Sequence, residues 1–253
     1  MPEGDTIHRI ALRIEAALGG RRLERVEAPN PRSPLHSRAG DLEGSTLERV
    51  EARGKYLLLH CSGDQVLHSH LGMNGRWLIR SDGSAPHGKP WLLLAAGPRI
   101  ASQTGGKLLR LTSARRARSD PQLRQLGPDP LAPDFDQGAA VQRLLSWEPS
   151  AEVGAALLDQ RLLAGVGNVI RIEACFAAAV SPWRKVGRLE GEEAAEIVTS
   201  CRRVMSEAVR TGRRPKRIYG AERKPCPRCG ARIQRRRQGD DARTTSWCPG
   251  CQG

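Results

Sequence analysis

The 253-residue chain predicts an α+β fold in four successive parts: a helix, an antiparallel sheet region, a helical region and a small metal-held tail. Three observations predict it. Apolar residues recur at helical spacing near the start. From residue 23 to about 116, short apolar runs are cut by Gly, Ser, Asp and Pro. Two Cys-x-x-Cys pairs close the chain.

The first element is a helix over residues 6–18. Ile7, Ile10, Ala11, Ile14, Ala17 and Leu18 share one face, Asp5 stands where a cap would, and Gly19-Gly20 ends the pattern. The runs 55–61, 65–71, 76–79 and 107–111 read as strands of an antiparallel structure. Residues 126–133, LGPDPLAP, hold too much proline for a helix or a central strand and read as a linker. Residues 136–210 read as mainly helical, with helices over 141–145, 153–158, 169–178 and 190–209. Gly165-Val166-Gly167 breaks that region between two of them. These divisions predict domains at 1–130, 131–212 and 213–253. No internal repeat and no long low-complexity segment interrupts this order.

Charge narrows the partner. The net charge is +14 and the pI about 10.4. Residues 201–253 hold 15 basic and four acidic side chains, so the excess is concentrated in the tail. A basic segment of this kind binds polyphosphate by releasing condensed counterions. Arg outnumbers Lys by 35 to 6, and its planar fork suits phosphate, although an Arg-biased genome gives the same excess. No apolar run reaches the roughly 18–20 residues of a membrane span. The start, MPEGDTIHRI, lacks the basic and apolar regions of a signal peptide. The expected setting is the cytoplasm, in a bacterial cell at the nucleoid, with no membrane partner.

Of seven cysteines, Cys61, Cys175 and Cys201 lie among apolar neighbours and read as free buried thiols. Cys226, Cys229, Cys248 and Cys251 form two Cys-x-x-Cys pairs with 18 residues between them. Each pair can present two thiolates from one tight turn, and two pairs complete the tetrahedral sulfur shell that zinc prefers. One structural Zn2+ is therefore expected, on a β-hairpin. A segment of this size has too little core to fold without it. The hairpin would carry Arg232, Arg235, Arg236, Arg237 and Arg243. Such a device suits DNA, and zinc ribbons also bind protein.

Two further segments carry chemistry. Residues 157–168, LLDQRLLAGVGN, end one helix, turn on glycines and start another at Asn168. Outward amides and the helix dipole there favour an anion such as a DNA phosphate. An ordinary interhelical turn with an Asn cap accounts for the same residues. At the N-terminus, removal of Met1 would expose the secondary amine of Pro2. An α-amino group titrates at roughly 7.7–8.0, which leaves a neutral nucleophilic fraction at physiological pH. Attack on a sugar carbon would give an iminium, an electron sink for elimination, with Glu3 close enough to handle protons. A disordered terminus is the plain alternative.

These signals coincide in one family. The start MPEG resembles that of the bacterial formamidopyrimidine-DNA glycosylase and endonuclease VIII family. So do Arg53-Gly54-Lys55-Tyr56-Leu57-Leu58, His70-Leu71-Gly72-Met73-Asn74-Gly75, Leu126-Gly127-Pro128-Asp129-Pro130-Leu131, Leu158-Asp159-Gln160 with residues 164–168, Ile218-Tyr219-Gly220 and the terminal cysteine pairs. They occur in the family's order and span nearly the whole chain. The resemblance implies an N-terminal helix with an antiparallel β-sandwich, a helix–two-turn–helix domain and a C-terminal zinc-finger hairpin. It also implies DNA held between the lobes with the damaged nucleotide flipped out.

By resemblance, Pro2 forms the Schiff base at C1′ and Glu3 is its acid/base partner. Lys55 is the lysine that contacts phosphate and assists elimination. Asn168 binds phosphate, and Arg243 is the finger arginine that grips phosphate beside the lesion. Met73 wedges into the gap left by the flipped base. His70 stands where endonuclease VIII has a DNA-contacting glutamine, and Gln125 aligns with a DNA-binding arginine. The implied reaction is base excision followed by β,δ-elimination on damaged DNA, by a monomer without a small-molecule cofactor.

Some residues depart from the family pattern. Asp5-Thr6 replaces the usual Pro-Glu, so a second carboxylate is displaced or lost. Residues 99–120 lack the Arg-Phe-Gly triplet of the 8-oxoguanine enzymes, and only about ten residues around 212–219 stand where those enzymes have a long covering loop. Together with Val169-Ile170-Arg171-Ile172-Glu173, these features place the chain nearer endonuclease VIII and oxidised pyrimidines. The rival readings are a non-catalytic damaged-DNA binder of the same fold, an 8-oxoguanine glycosylase, and a zinc-ribbon adaptor or transcription factor.

Overall fold

A computed structural model describes residues 1–84 and 86–253. The chain forms two compact units. One comprises Met1–Pro2 with Thr6–Arg124, and the other Glu3–Asp5 with Gln125–Gly253.

The first unit contains most of helix α1 (Gly4–Leu18). Strands β1 (Arg25–Glu27), β2 (Leu47–Arg53), β3 (Tyr56–Cys61), β4 (Gln65–His70), β5 (Arg76–Arg80), β6 (Leu92–Ala96), β7 (Arg99–Thr104) and β8 (Leu108–Ser113) follow. Short helices α2 (Ala114–Arg118) and α3 (Pro121–Arg124) end the unit. The strands make two four-stranded antiparallel sheets, in the orders β1-β6-β7-β5 and β2-β3-β4-β8. One core joins them. Leu57, Leu59, Leu67 and Leu109 come from one sheet, and Val26, Trp77, Leu92, Leu94 and Ala101 from the other. Ile7, Ile10, Ile14 and Leu18 of α1 complete it. Each aliphatic side chain so buried contributes about 1.5–3 kcal/mol. The expected sandwich is therefore present.

Helix α1 starts two residues earlier than its apolar pattern, which places Asp5 inside the first turn rather than at the cap. The early start depends on Gly4. Its amide donates to the Gly165 carbonyl at 2.9 Å, and a Cβ there would lie 2.7 Å from Gly165 Cα. Glu15 further along α1 accepts the Val50 amide at 2.6 Å, which ties the helix to β2.

The second unit holds α4 (Gln137–Leu145), α5 (Val153–Ala156), α6 (Asn168–Ala177) and α7 (Gly191–Thr211), then the antiparallel hairpin β9 (Gln234–Gln238) and β10 (Arg243–Trp247). The helices bury Leu144, Val153, Leu157, Leu162, Leu163, Ile170, Ile197 and Met205 together. Ile172 and Phe176 of α6 form a second cluster with Ile218, Ile233, Cys226 and Cys248, so α6 bears both the helical core and the cysteine-bearing tail.

Two expectations change here. Residues 126–133 are neither helix nor strand, as read, but they do not act as a slack linker. Gly127 donates to Gln160 O at 2.9 Å, Ala164 donates to Pro128 O at 3.0 Å, and Asp129 is buried, accepting from the Leu131 amide at 2.9 Å. A Cβ at Gly127 would overlap the Arg161 carbonyl, so the glycine permits this close packing. The helix expected over 153–158 is a single turn. Beyond it, Gln160 takes over the backbone groups: its amide donates to Leu158 O and Val166 O, both at 2.9 Å, and accepts from Gly165 N at 3.0 Å. No described helix is long and apolar enough to cross a membrane.

Candidate active site and nucleic-acid interface

In the second unit the site grows from the first turn of α6. Glu3 is completely buried, and its carboxylate accepts the amides of Val169 at 3.0 Å and Ile170 at 3.2 Å. The unpaired amides and the dipole of a helix start favour an anion, and here the protein supplies its own. This corrects the expectation that those amides face a DNA phosphate. It also corrects the Asn-cap alternative, because the cap position is Gly167 and Asn168 is the first helical residue. Gly167 is required by close approach, since a Cβ there would overlap the Glu3 carboxyl carbon.

Asn168 is mostly buried. Its Nδ2 donates to Thr244 O at 3.0 Å, and its Oδ1 accepts from Arg171 Nε at 2.9 Å and Nη2 at 2.7 Å. An amide nitrogen carries two hydrogens, so one donor on Asn168 is not taken by Thr244. Arg243 opens β10 beside Thr244, partly exposed, with Asp241 3.7 Å away. Glu3, Asn168 and Arg243 are thus brought together within one unit.

Asp5 is also buried and accepts from Arg214 Nε at 2.7 Å, while Arg214 Nη1 lies 3.9 Å from Glu3. Burial opposes the charge on Arg214, but Asp5 and Glu3 outweigh it and raise its pKa. The short segment after α7 is held at a second point. Glu173 accepts the amides of Arg217, Ile218 and Tyr219 at 2.9, 3.0 and 2.8 Å. Burial raises the Glu173 pKa, and these three donors partly offset the shift.

The four cysteine sulfurs lie within 4.8 Å of one another. Sγ of Cys226 and Cys251 are 3.9 Å apart, and Sγ of Cys229 and Cys248 are 3.4 Å apart. Sulfurs placed tetrahedrally about zinc at roughly 2.3 Å would be about 3.8 Å apart, so the cluster fits one such ion. The two knuckles face each other because β9 and β10 pair in register from Gln238↔Arg243 to Gln234↔Trp247.

In the first unit, Lys55 follows Gly54 in the turn between β2 and β3, one residue before the strand in which it was expected. Its charge reaches His70 at the end of β4. Burial, Lys107 and Lys55 together push the His70 pKa down to about 4. His70 Nδ1 accepts the Gly72 amide at 3.0 Å, so the neutral ring carries its proton on Nε2. Three residues on, Met73 is 64% exposed in a turn closed by Gly75 N donating to Leu71 O at 2.9 Å, so its side chain is not part of the core. Pro2 is half-buried in this unit, and Gln125 is exposed at the beginning of the other.

Sequence reasoning assigned no role to Arg171, Arg214, Gln238 or Thr245. Arg171 did leave a signal: it is a lone cation among Val, Ile, Ile, Ala and Phe on a helix otherwise read as core.

Residues 1–119 match the formamidopyrimidine-DNA glycosylase N-terminal domain, and residues 126–219 match the formamidopyrimidine-DNA glycosylase H2TH domain. The chain belongs to the formamidopyrimidine-DNA glycosylase family. Across its full length it is 38% identical to a probable endonuclease 8 2 of Streptomyces coelicolor, covering 94% of that protein. It is 36% identical to the DNA-(apurinic or apyrimidinic site) lyase Nei2 of Mycolicibacterium smegmatis, covering 99% of it. A formamidopyrimidine-DNA glycosylase of Rhodopseudomonas palustris is 31% identical over both full lengths. The fold matches Lactococcus lactis Fpg in complex with N7-benzyl-Fapy-dG DNA, with TM-score 0.85, 24% identity and 99% of each chain covered. The expected enzyme class, DNA glycosylase and DNA-(apurinic or apyrimidinic site) lyase of base excision repair, agrees with the family and with these relatives.

Proposed function

We propose that this family member excises oxidised bases, pyrimidines in preference to 8-oxoguanine, through the amine of Pro2. The observation that carries the reading is the fixing of Glu3. The residue that follows the nucleophile is buried, and two amides of the first turn of α6 hold its carboxylate in one place.

Removal of Met1 frees the Pro2 nitrogen. That nitrogen attacks C1′ as the C1′–N bond to the base breaks, and the base leaves protonated. The amine then loses its proton as the C1′–O4′ bond breaks and O4′ takes one up, which opens the sugar to an iminium that acidifies C2′–H. Loss of that proton expels the 3′ phosphate, and a second elimination expels the 5′ phosphate, which leaves a one-nucleotide gap. Glu3 moves protons at the sugar, and Lys55 supports the eliminations from the β2–β3 turn. Asn168 and Arg243 hold backbone phosphate, while His70 and Gln125 contact DNA and Met73 enters the space of the flipped base. Cys226, Cys229, Cys248 and Cys251 would hold one structural Zn2+, whose part is to fold the hairpin that carries Arg243. DNA is the partner, bound by a monomer at the nucleoid, and the working parts are residues 1–130, 131–212 and 213–253.

The preference for pyrimidines is supported by the segment after α7. It is short, and Glu173 and Asp5 tie it down. Single-turnover excision from duplexes carrying one oxidised pyrimidine or one 8-oxoguanine tests this. The oxidised pyrimidine should leave at least ~10-fold faster, a difference of about 1.4 kcal/mol in barrier. The reverse order would transfer the chain to the 8-oxoguanine reading.

A further inference from the structure

We infer that Arg171 is the positioning residue that makes the first turn of α6 and the β9–β10 hairpin act as one phosphate clamp. This rests on the reading that Asn168 and Arg243 bind phosphate.

Arg171 is 1% exposed, yet its five N–H groups go to neutral acceptors. Nε and Nη2 donate to Asn168 Oδ1. Nη1 donates to Gly154 O at 2.8 Å and to Gln238 Oε1 at 2.5 Å, and Nη2 also donates to Thr245 Oγ1 at 2.6 Å. A guanidinium in this position fixes four segments at once: α5, α6, β9 and β10. The acceptors are fixed in turn. Gln238 Nε2 donates to Pro182 O at 2.7 Å and Glu152 Oε2 at 2.9 Å, and Thr245 Oγ1 donates to Gln238 Oε1 at 3.0 Å.

The two phosphate-binding candidates are the output of this network. Asn168 is oriented by Arg171 through Oδ1, so its Nδ2 reaches Thr244 O. Arg243 is the cross-strand partner of Gln238, the side chain that Arg171 grips. Burying a cation without an acid hydrogen-bonded to it is costly, and burial lowers the Arg171 pKa to about 10. A Met or Leu in α6 would fill the space at lower cost, so the fork geometry is what distinguishes arginine here. Gly154 keeps the approach open, because a Cβ there would overlap Gln238 Oε1 and lie 3.0 Å from Arg171 Nη1.

The test measures binding of the full chain to a duplex with a stable abasic-site analogue over a salt series. Arg243→Ala should lower the slope of log K against log salt by about one, the value of one lost phosphate contact. Arg171→Lys and Gly154→Ala leave the net charge unchanged, so neither changes the slope unless Arg243 is displaced. Each should reproduce the Arg243→Ala slope and weaken binding ~10-fold, with the metal still bound. Adding Arg243→Ala to either should change nothing further. Wild-type slopes in both variants, beside a reduced slope in Arg243→Ala, would overturn the inference. So would loss of the metal in both, which would make Arg171 a folding residue. An unchanged slope in Arg243→Ala itself would instead remove the phosphate reading on which the inference rests.

Discussion

Glu3 accepts the Val169 amide at 3.0 Å, so the third residue of the chain is fixed by a helix start more than 160 positions away. This contact explains two short motifs together. The glycine of the PEG start lets α1 begin against Gly165, and the second glycine of Gly165-Val166-Gly167 leaves room for the Glu3 carboxyl. Gly167→Ala should therefore dislodge Glu3. We expect a loss of about 1–3 kcal/mol in unfolding free energy, the usual cost of overpacking, and a far larger loss of base excision. Chemical denaturation beside single-turnover excision measures both. Full activity in Gly167→Ala would contradict the role given to Glu3.

Asp5 is buried and pairs in the second unit with Arg214, whose side chain is 11% exposed. Removing one partner leaves an unpaired buried charge. Arg214→Met should destabilise the chain by about 3–5 kcal/mol. Asp5→Asn keeps a hydrogen-bond acceptor and should cost less. Comparison of the two by urea denaturation checks the order, and equal small effects would show the pair to be solvated.

Much of this fold was legible because its signals are local. The apolar face of α1, the paired cysteines and the Gly-rich turn are each contained in a few residues. β6 is harder to read because both its faces are buried: Leu92 and Leu94 enter the main core while Leu93 and Ala95 pack with Ile100. Its sequence LLLAA therefore shows no alternation. β2, LERVEAR, is concealed by charges and by an irregularity between Leu47 and Arg49. The candidate site was legible as a set of residue types but not as a network. Glu3 to Val169, Asn168 to Thr244 and Asp5 to Arg214 join positions far apart in sequence, and no spacing rule encodes such pairs.

His68 and His70 predict a pH response. Burial, Arg110 and His70 push the His68 pKa down to about 4, and burial, Lys107 and Lys55 do the same at His70. Tyr56 packs tilted against the His68 ring and edge-on against the His70 ring, and Asp120 lies 3.8 Å from His68 without reversing its shift. Both folded-state values lie below the ordinary 6.5, so the unfolded chain binds more protons between these limits. The stability they contribute is complete above pH 6.5 and drains as pH falls towards 4. Titration of the imidazole nitrogens by NMR should give midpoints near 4, and midpoints near 6.5 would refute the burial argument.

The cysteine cluster predicts one zinc per chain by elemental analysis. Strong chelation, or Cys248→Ser, should unfold the hairpin and weaken DNA binding by at least ~10-fold while the first unit stays folded. Undiminished binding after metal removal would separate the finger from DNA recognition.

The most direct test of the account traps the Pro2 intermediate. A duplex with one abasic site or one oxidised pyrimidine is incubated with the protein and borohydride, which reduces an iminium to a stable covalent link. Pro2→Gly and a Met1-retaining form run beside it. The account predicts a trapped complex on both duplexes with the Met1-free protein, and none when the Pro2 amine is blocked. Tight, salt-sensitive DNA binding without any trapping, in protein confirmed to lack Met1, would contradict it and leave a damage-binding member of the family.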